Sequence, residues 1–143
     1  MRAFAATIVL ALACVAAPQA ARAADGPVKV VYHVNQNNAQ ALDALRNIGN
    51  HLAADPTAKI VLVTHAGGIQ FLLEGATDAN GAPFEAAVQV LKAKGVEFRV
   101  CEFTLQRNKI DPKKVIPEAS LVPSGVAEVS RLQFKEGFAY LRP

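Results

Sequence analysis

The sequence predicts a three-layer α/β/α sandwich around a five-stranded, mainly parallel sheet. Two observations carry that expectation. Short runs rich in β-branched residues alternate with helical periodicities from residue 24 to the carboxyl terminus. One of these runs, Ile60-Val61-Leu62-Val63, is continuously apolar, as a strand covered on both faces of a parallel sheet requires.

The chain opens differently. Met1 and Arg2 precede a charge-free run, Ala3 to Ala17, then Pro18 and the small-x-small triplet Ala21-Arg22-Ala23. This pattern predicts a signal peptide over residues 1–23, with cleavage before Ala24 and a periplasmic destination. The run falls short of the roughly 20 residues of a membrane span. Cys14 lies within it and would be lost on cleavage. Its alternative reading, a lipid-attachment cysteine, fits the short lead-in poorly. Residues 24–143 then form one domain.

Val28 to Val34 predicts the first strand. Asn35 to Asn38 predicts a polar turn, with Asn38 capping a helix whose buried face carries Leu42, Leu45, Ile48 and Leu52. Asp55-Pro56 stops it. Lys59 to Thr64 is the second strand, followed by His65-Ala66-Gly67-Gly68 and a short helix, Ile69 to Leu73. Asn80-Gly81 and Pro83 mark a loop. Phe84, Val88 and Leu91 share a helical face running to Lys94. Beyond Gly95, the alternation of Val96, Phe98 and Val100 with Glu97 and Arg99 predicts the third strand, and Thr104 to Asn108 a short helical turn. Leu121-Val122 is a brief fourth strand. Ser124 caps a helix with Val126, Val129 and Leu132 on one face, Gly137 closes it, and Phe138 to Leu141 is the last strand.

Composition excludes some functions. Lys and Arg number 15 against 12 acids. Removing Arg2 and Arg22 with the signal leaves a net charge of about +1, and no basic cluster stands out, so nucleic-acid binding is not expected. After cleavage no membrane segment, cofactor or metal is expected either. Cys101 becomes the lone mature cysteine, without an internal partner, and so is a thiol bonded to another chain, a reactive thiol or a buried inert one. In a parallel sheet the carboxyl ends of the strands converge on one rim. His33 with Asn35, His65 with Gly67, Cys101, and Ser124 with Gly125 are all expected there. The start of the helix after Cys101 favours its thiolate.

Gly95-Val96-x-Phe98-x-x-Cys101-x-x-Thr104-Leu105 resembles a signature of the DsrE/DsrF-like family in its small exported branch. So does Val122 to Glu128 followed by Arg131-Leu132-Gln133, and so do the tail Glu136 to Pro143, His65 with its glycines, and Val34 to Asn38. The likeness runs from Val28 to Pro143. Phe103 departs from the Asn expected in this branch. The resemblance implies a three-layer α/β fold, a homotrimer or homohexamer, and a cysteine that carries a persulfide in sulfur oxidation or sulfur relay. Cys101 matches that position.

The candidate site is therefore Cys101 as sulfur carrier and His65 as its acid–base helper. Asn35, Gly67, Gly68, Thr104, Ser124 and Gly125 are the candidate ligand-binding residues, and Arg107 and Lys109 candidate cationic helpers. Donor and acceptor would be proteins or small sulfane compounds. Such a carrier is sulfurtransferase-like at most, since its partners consume and regenerate it. Two other readings stand beside this one. Cys101, His65 and His33 would make a chemically reasonable copper or zinc set, although no short ligand-spacing motif supports it. The chain would also serve as a non-catalytic oligomeric adaptor. His33 alone reads as structural, and His65 reads equally as a histidine bonding a loop backbone.

Overall fold

The computed structural model describes residues 26–143. The predicted signal peptide, its cleavage site and Cys14 lie outside the described residues.

The sheet has five strands: β1 (Lys29–Val34), β2 (Lys59–Thr64), β3 (Glu97–Cys101), β4 (Ala119–Val122) and β5 (Ala139–Leu141). Their order is β4-β3-β2-β1-β5, and every pairing is parallel. The helices are α1 (Asn38–Ala54), α2 (Phe84–Ala93), α3 (Glu102–Arg107) and α4 (Gly125–Glu136). The chain steps outward from β1 to β4 and then returns along α4 to place β5 beside β1. The first three crossovers and the last therefore go opposite ways, which opens a crevice at the strand carboxyl ends.

The two faces of the sheet are unequal. Val30, Tyr32, Val34, Ile60, Leu62, Phe98 and Val100 pack with α1 and α2 in the larger core. Residues of the other parity, Val31, Val61 and Val63, pack under α4 through Val129 and Leu132, with Phe138 beside them. Arg99 and Cys101 share the α4 face, because β3 aligns Arg99 with Val63 and Cys101 with Val122. Arg99 pairs there with Glu128 of α4, and Glu128 also pairs with Arg131 at 2.8 Å. This half-buried network fixes α4 across the sheet.

Several local expectations shift. The cap of α1 is Asn37, whose Oδ1 accepts the Gln40 N–H at 3.0 Å, so Asn38 is already helical. Ala41 and Ala44 join Leu45, Ile48 and Leu52 on its buried face, while Leu42 is 42% exposed. Likewise Val126 is 59% exposed, and α4 buries Val129 and Leu132 instead. The segment after β2 is a 3-10 helix, Ala66–Leu72, and a second one, Pro112–Lys114, had no sequence counterpart. Ser124 caps α4 through the Ala127 N–H, and Gly137 ends it at φ 72°, both as expected.

Candidate functional site

Cys101 ends β3 and is the residue before α3. It is the one free cysteine of the described residues, and 5% exposed. Its neighbours are polar donors. The Thr104 hydroxyl and the N–H groups of Gly125, Thr104 and Phe103 lie near the sulfur and favour its thiolate, although the Phe103 N–H is itself given to the Pro123 carbonyl oxygen at 3.2 Å. Burial pushes the thiol pKa up, but these four donors outweigh it and the net shift is downward. As a thiol, Sγ–H points to the Pro123 carbonyl oxygen at 4.0 Å.

Two of these donors are positioned by backbone contacts. The Thr104 Oγ1 accepts the Ala66 N–H at 3.1 Å, which leaves its own proton for the sulfur. Ala66 adopts φ 48°, a left-handed conformation unusual without glycine, and this bond helps hold it there. At Gly125 an added Cβ would lie 2.9 Å from the Thr64 carbonyl oxygen, 3.1 Å from the His65 Cβ and 3.3 Å from the Cys101 Cβ. Glycine is what lets the start of α4 close on the thiol.

An open cavity of about 430 Å³ stands over Cys101. His65, Ala66 and Gly67 form one wall; Phe103, Thr104, Arg107 and Asn108 another; Ser124 and Val126 complete it. Of the sequence-predicted residues, His65, Gly67, Cys101, Thr104 and Ser124 line this cavity, and Gly125 braces the thiol from behind. Asn35 and Gly68 do not line it. Asn35 instead accepts a bond from Arg142 at 3.3 Å, and its N–H donates to Gln40 Oε1. Gly68 is buried, and a Cβ on it would meet the Val34 carbonyl oxygen at 2.2 Å. Gly67 is equally constrained, since an added Cβ would lie 1.9 Å from the Gln36 carbonyl oxygen. Both glycines let the post-β2 turn pass under the end of β1, so Gly68 is a packing residue. Arg107 reaches the cavity wall, whereas Lys109 does not. Exposed Phe103, 57% accessible, supplies apolar surface at the place where Asn was expected.

His33 has partners that the sequence did not reveal. Its Nε2 lies 2.7 Å from His65 Nε2, and its Nδ1 lies 2.7 Å from the Tyr140 hydroxyl. The rings of His33 and His65 are tilted by 31° with centroids 4.8 Å apart. Burial, then the His65 and Arg142 charges, lowers His33 to about 4; burial also lowers His65. Period-two parity places His33 and Tyr140 on the same face as Val31, Val63 and Cys101, but only the return of β5 beside β1 brings Tyr140 into reach. The two imidazoles spend their Nε2 atoms on each other. Among the described residues no group of three His, Cys, Asp or Glu side chains is arranged to hold a metal ion.

A fully parallel open sheet with a single thiol in the crevice at its strand ends defines a particular class of α/β protein. The model of the DsrE/DsrF-like family matches residues 16–143, and the chain belongs to that family, which is associated generally with sulfur metabolism. The chain is similar to a protein of unknown function, MTH1491, from Methanobacterium thermoautotrophicum. The identity is 27% and the TM-score 0.72, covering 81% of this chain and 99% of the other. It also shares its fold with the ychN protein from E. coli, at 15% identity and TM-score 0.65 over 79% of this chain and 96% of that one. No curated protein matches the sequence.

Proposed function

We propose that the protein carries sulfane sulfur as a persulfide on Cys101. The observation that carries this reading is a buried free thiol at the floor of an open cavity, with the Thr104 hydroxyl and the Gly125 and Thr104 N–H groups near enough to favour its thiolate. Donors to the charged form favour a thiolate, which is the nucleophile. In the loading step the Cys101 thiolate attacks the outer sulfur of a sulfane donor, R–S–S⁻ or R–S–SH. A new S–S bond forms on Cys101, the donor's own S–S bond breaks, and the donor leaves as its thiolate R–S⁻ or, with one proton, its thiol. Unloading is the same displacement by an acceptor thiolate. The same donors would stabilise the persulfide anion, and His65 on the cavity wall would exchange the proton that the leaving group needs.

Export through a signal peptide over residues 1–23 and a periplasmic location belong to the same reading, on the strength of the opening pattern of the sequence. So does assembly into a homotrimer or homohexamer, supported by apolar surface left on α4, where Phe134 is 91% and Val126 59% exposed. That surface equally favours the second reading, a non-catalytic adaptor that uses α4 to bind a partner. Cyanide discriminates. It removes sulfane sulfur from a persulfide as thiocyanate and regenerates the thiol. After treatment with polysulfide and desalting, the wild-type protein is expected to release about one thiocyanate per chain and Cys101→Ser none. Equal release from both proteins would contradict the carrier reading.

A further inference from the structure

We propose that Tyr140, His33 and His65 form a proton relay joining the Cys101 cavity to solvent at the β5 edge of the sheet. The inference deepens the carrier reading and rests on it for its purpose, but not for its geometry. Three side chains from three neighbouring strand ends are linked by two contacts of 2.7 Å. One end, His65, lines the cavity. The other, Tyr140, is 41% exposed on the edge strand.

Each contact needs one hydrogen, and only two arrangements satisfy both. In the first, Tyr140 O–H donates to His33 Nδ1, and His33 Nε2–H donates to His65 Nε2; His65 then carries its own proton on Nδ1. In the second, His65 Nε2–H donates to His33 Nε2, and His33 Nδ1–H donates to the Tyr140 oxygen; His65 Nδ1 is then a free lone pair. The two arrangements differ by one hydrogen moved across each contact. A proton taken up from the cavity at His65 Nδ1 converts the second arrangement into the first, with the Tyr140 hydroxyl releasing its original proton to water. The reverse delivers a proton from water to the cavity. No proton is created or lost, and no ring has to remain charged.

The electrostatics suit such a relay. Both imidazoles are held neutral at pH 7, so each keeps one N–H and one lone pair, as transfer along the chain requires. The groups bearing on His33 are His65, Tyr140 and the cationic Arg142, and Arg142 disfavours a proton resting there. Loading and unloading of Cys101 exchange thiols and thiolates inside the cavity, so a path for the compensating proton has a use on every cycle.

The test is the nitrogen-15 spectrum of labelled imidazoles at neutral pH, comparing the full-length wild-type protein with Tyr140→Phe and His33→Phe. Tyr140 is bonded to His33 and not to His65. Its loss leaves His33 Nδ1 with an orphaned N–H in the second arrangement but only an unpaired lone pair in the first, so Tyr140→Phe is expected to shift His65 toward the Nδ1–H tautomer of the first. The persulfide-loaded variants should pass sulfur to a small thiol about tenfold more slowly, or worse, with a smaller solvent isotope effect. An unchanged His65 tautomer ratio in Tyr140→Phe would overturn the relay. If the wild type takes up no sulfur at all, the carrier reading fails, while the spectra still decide the relay.

Discussion

A methyl group on Gly125 would sit 3.3 Å from the Cβ of Cys101 and 2.9 Å from the Thr64 carbonyl oxygen. The first turn of α4 is thus fitted against the thiol with no room for a side chain. Gly125→Ala is expected to push α4 outward, withdraw the Gly125 N–H from the sulfur and raise the thiol pKa. Overpacking of this kind costs about 1–3 kcal/mol. Urea denaturation reads the stability, and the pH profile of alkylation reads the thiol. An unchanged profile would mean that this N–H does not tune Cys101.

Thr104 links two parts of the site. Its hydroxyl accepts the Ala66 N–H at 3.1 Å and favours the Cys101 thiolate from nearby. Thr104→Val keeps the shape and removes both the bond and the polar influence on the thiol. The expected results are a slower alkylation of Cys101 at pH 7 and a stability loss of no more than about 1 kcal/mol, because the exposed Ala66 N–H turns to water instead. Thr104→Ser should restore both properties in large part.

His33 sets an acid-sensitive term. In the fold it titrates at about 4, against 6.5 in the unfolded chain, first because of burial and then because of His65 and Arg142. Between those values the unfolded chain binds a proton that the folded chain does not. The contribution is therefore whole above pH 6.5, falls as the pH drops through the window and is gone below about 4. Water screening reduces it to about 1–2 kcal/mol. Denaturation of the wild type and of His33→Phe at pH 7 and pH 4.5 should show the smaller acid loss in the variant. Glu128 and Asp55 are held below their usual values, so their own losses come at lower pH.

Glu128 joins Arg99 on β3 to Arg131 on its own helix, with side-chain exposures of 11% and 17% for Glu128 and Arg99. Glu128→Gln leaves the Arg99 guanidinium with only the exposed Glu97 as partner. A loss of about 1–2 kcal/mol is expected, since Arg99 keeps Glu97 but loses its more buried partner. Thermal unfolding measures it, and a change under about 0.5 kcal/mol would place the network among ordinary surface pairs.

Much of the fold was legible because its signals are local. The alternation around Phe98, the apolar run Ile60 to Val63, the Ser124 cap and the Gly137 stop each act over a few residues and need no knowledge of neighbours. The same logic carried Cys101, His65 and Ser124 to a common rim, since parallel strands must end on the same side. What was not legible depends on which elements become neighbours. Two adjacent asparagines, Asn37 and Asn38, offer the same capping chemistry, and only the backbone decides between them. Leu42 and Val126 fit their helical periods yet face outward, because the sheet is covered by small Ala41 and Ala44 on one side and by a single helix on the other. The close approaches that require Gly67 and Gly68 arise from the path of β1 overhead. Tyr140 reaches His33 only because β5 returns next to β1, a choice of edge that no local pattern in the sequence announces.

The central claim is that Cys101 is an activated thiol that holds one sulfur. Its most direct test is the intact mass of the protein after exposure to polysulfide, with and without a thiol reductant, for the wild type and Cys101→Ser. The account predicts a gain of one sulfur atom in the wild type, reversed by the reductant, and no gain in the variant. A wild-type thiol that gains no sulfur and titrates near the ordinary 8.5 of a free cysteine would contradict it.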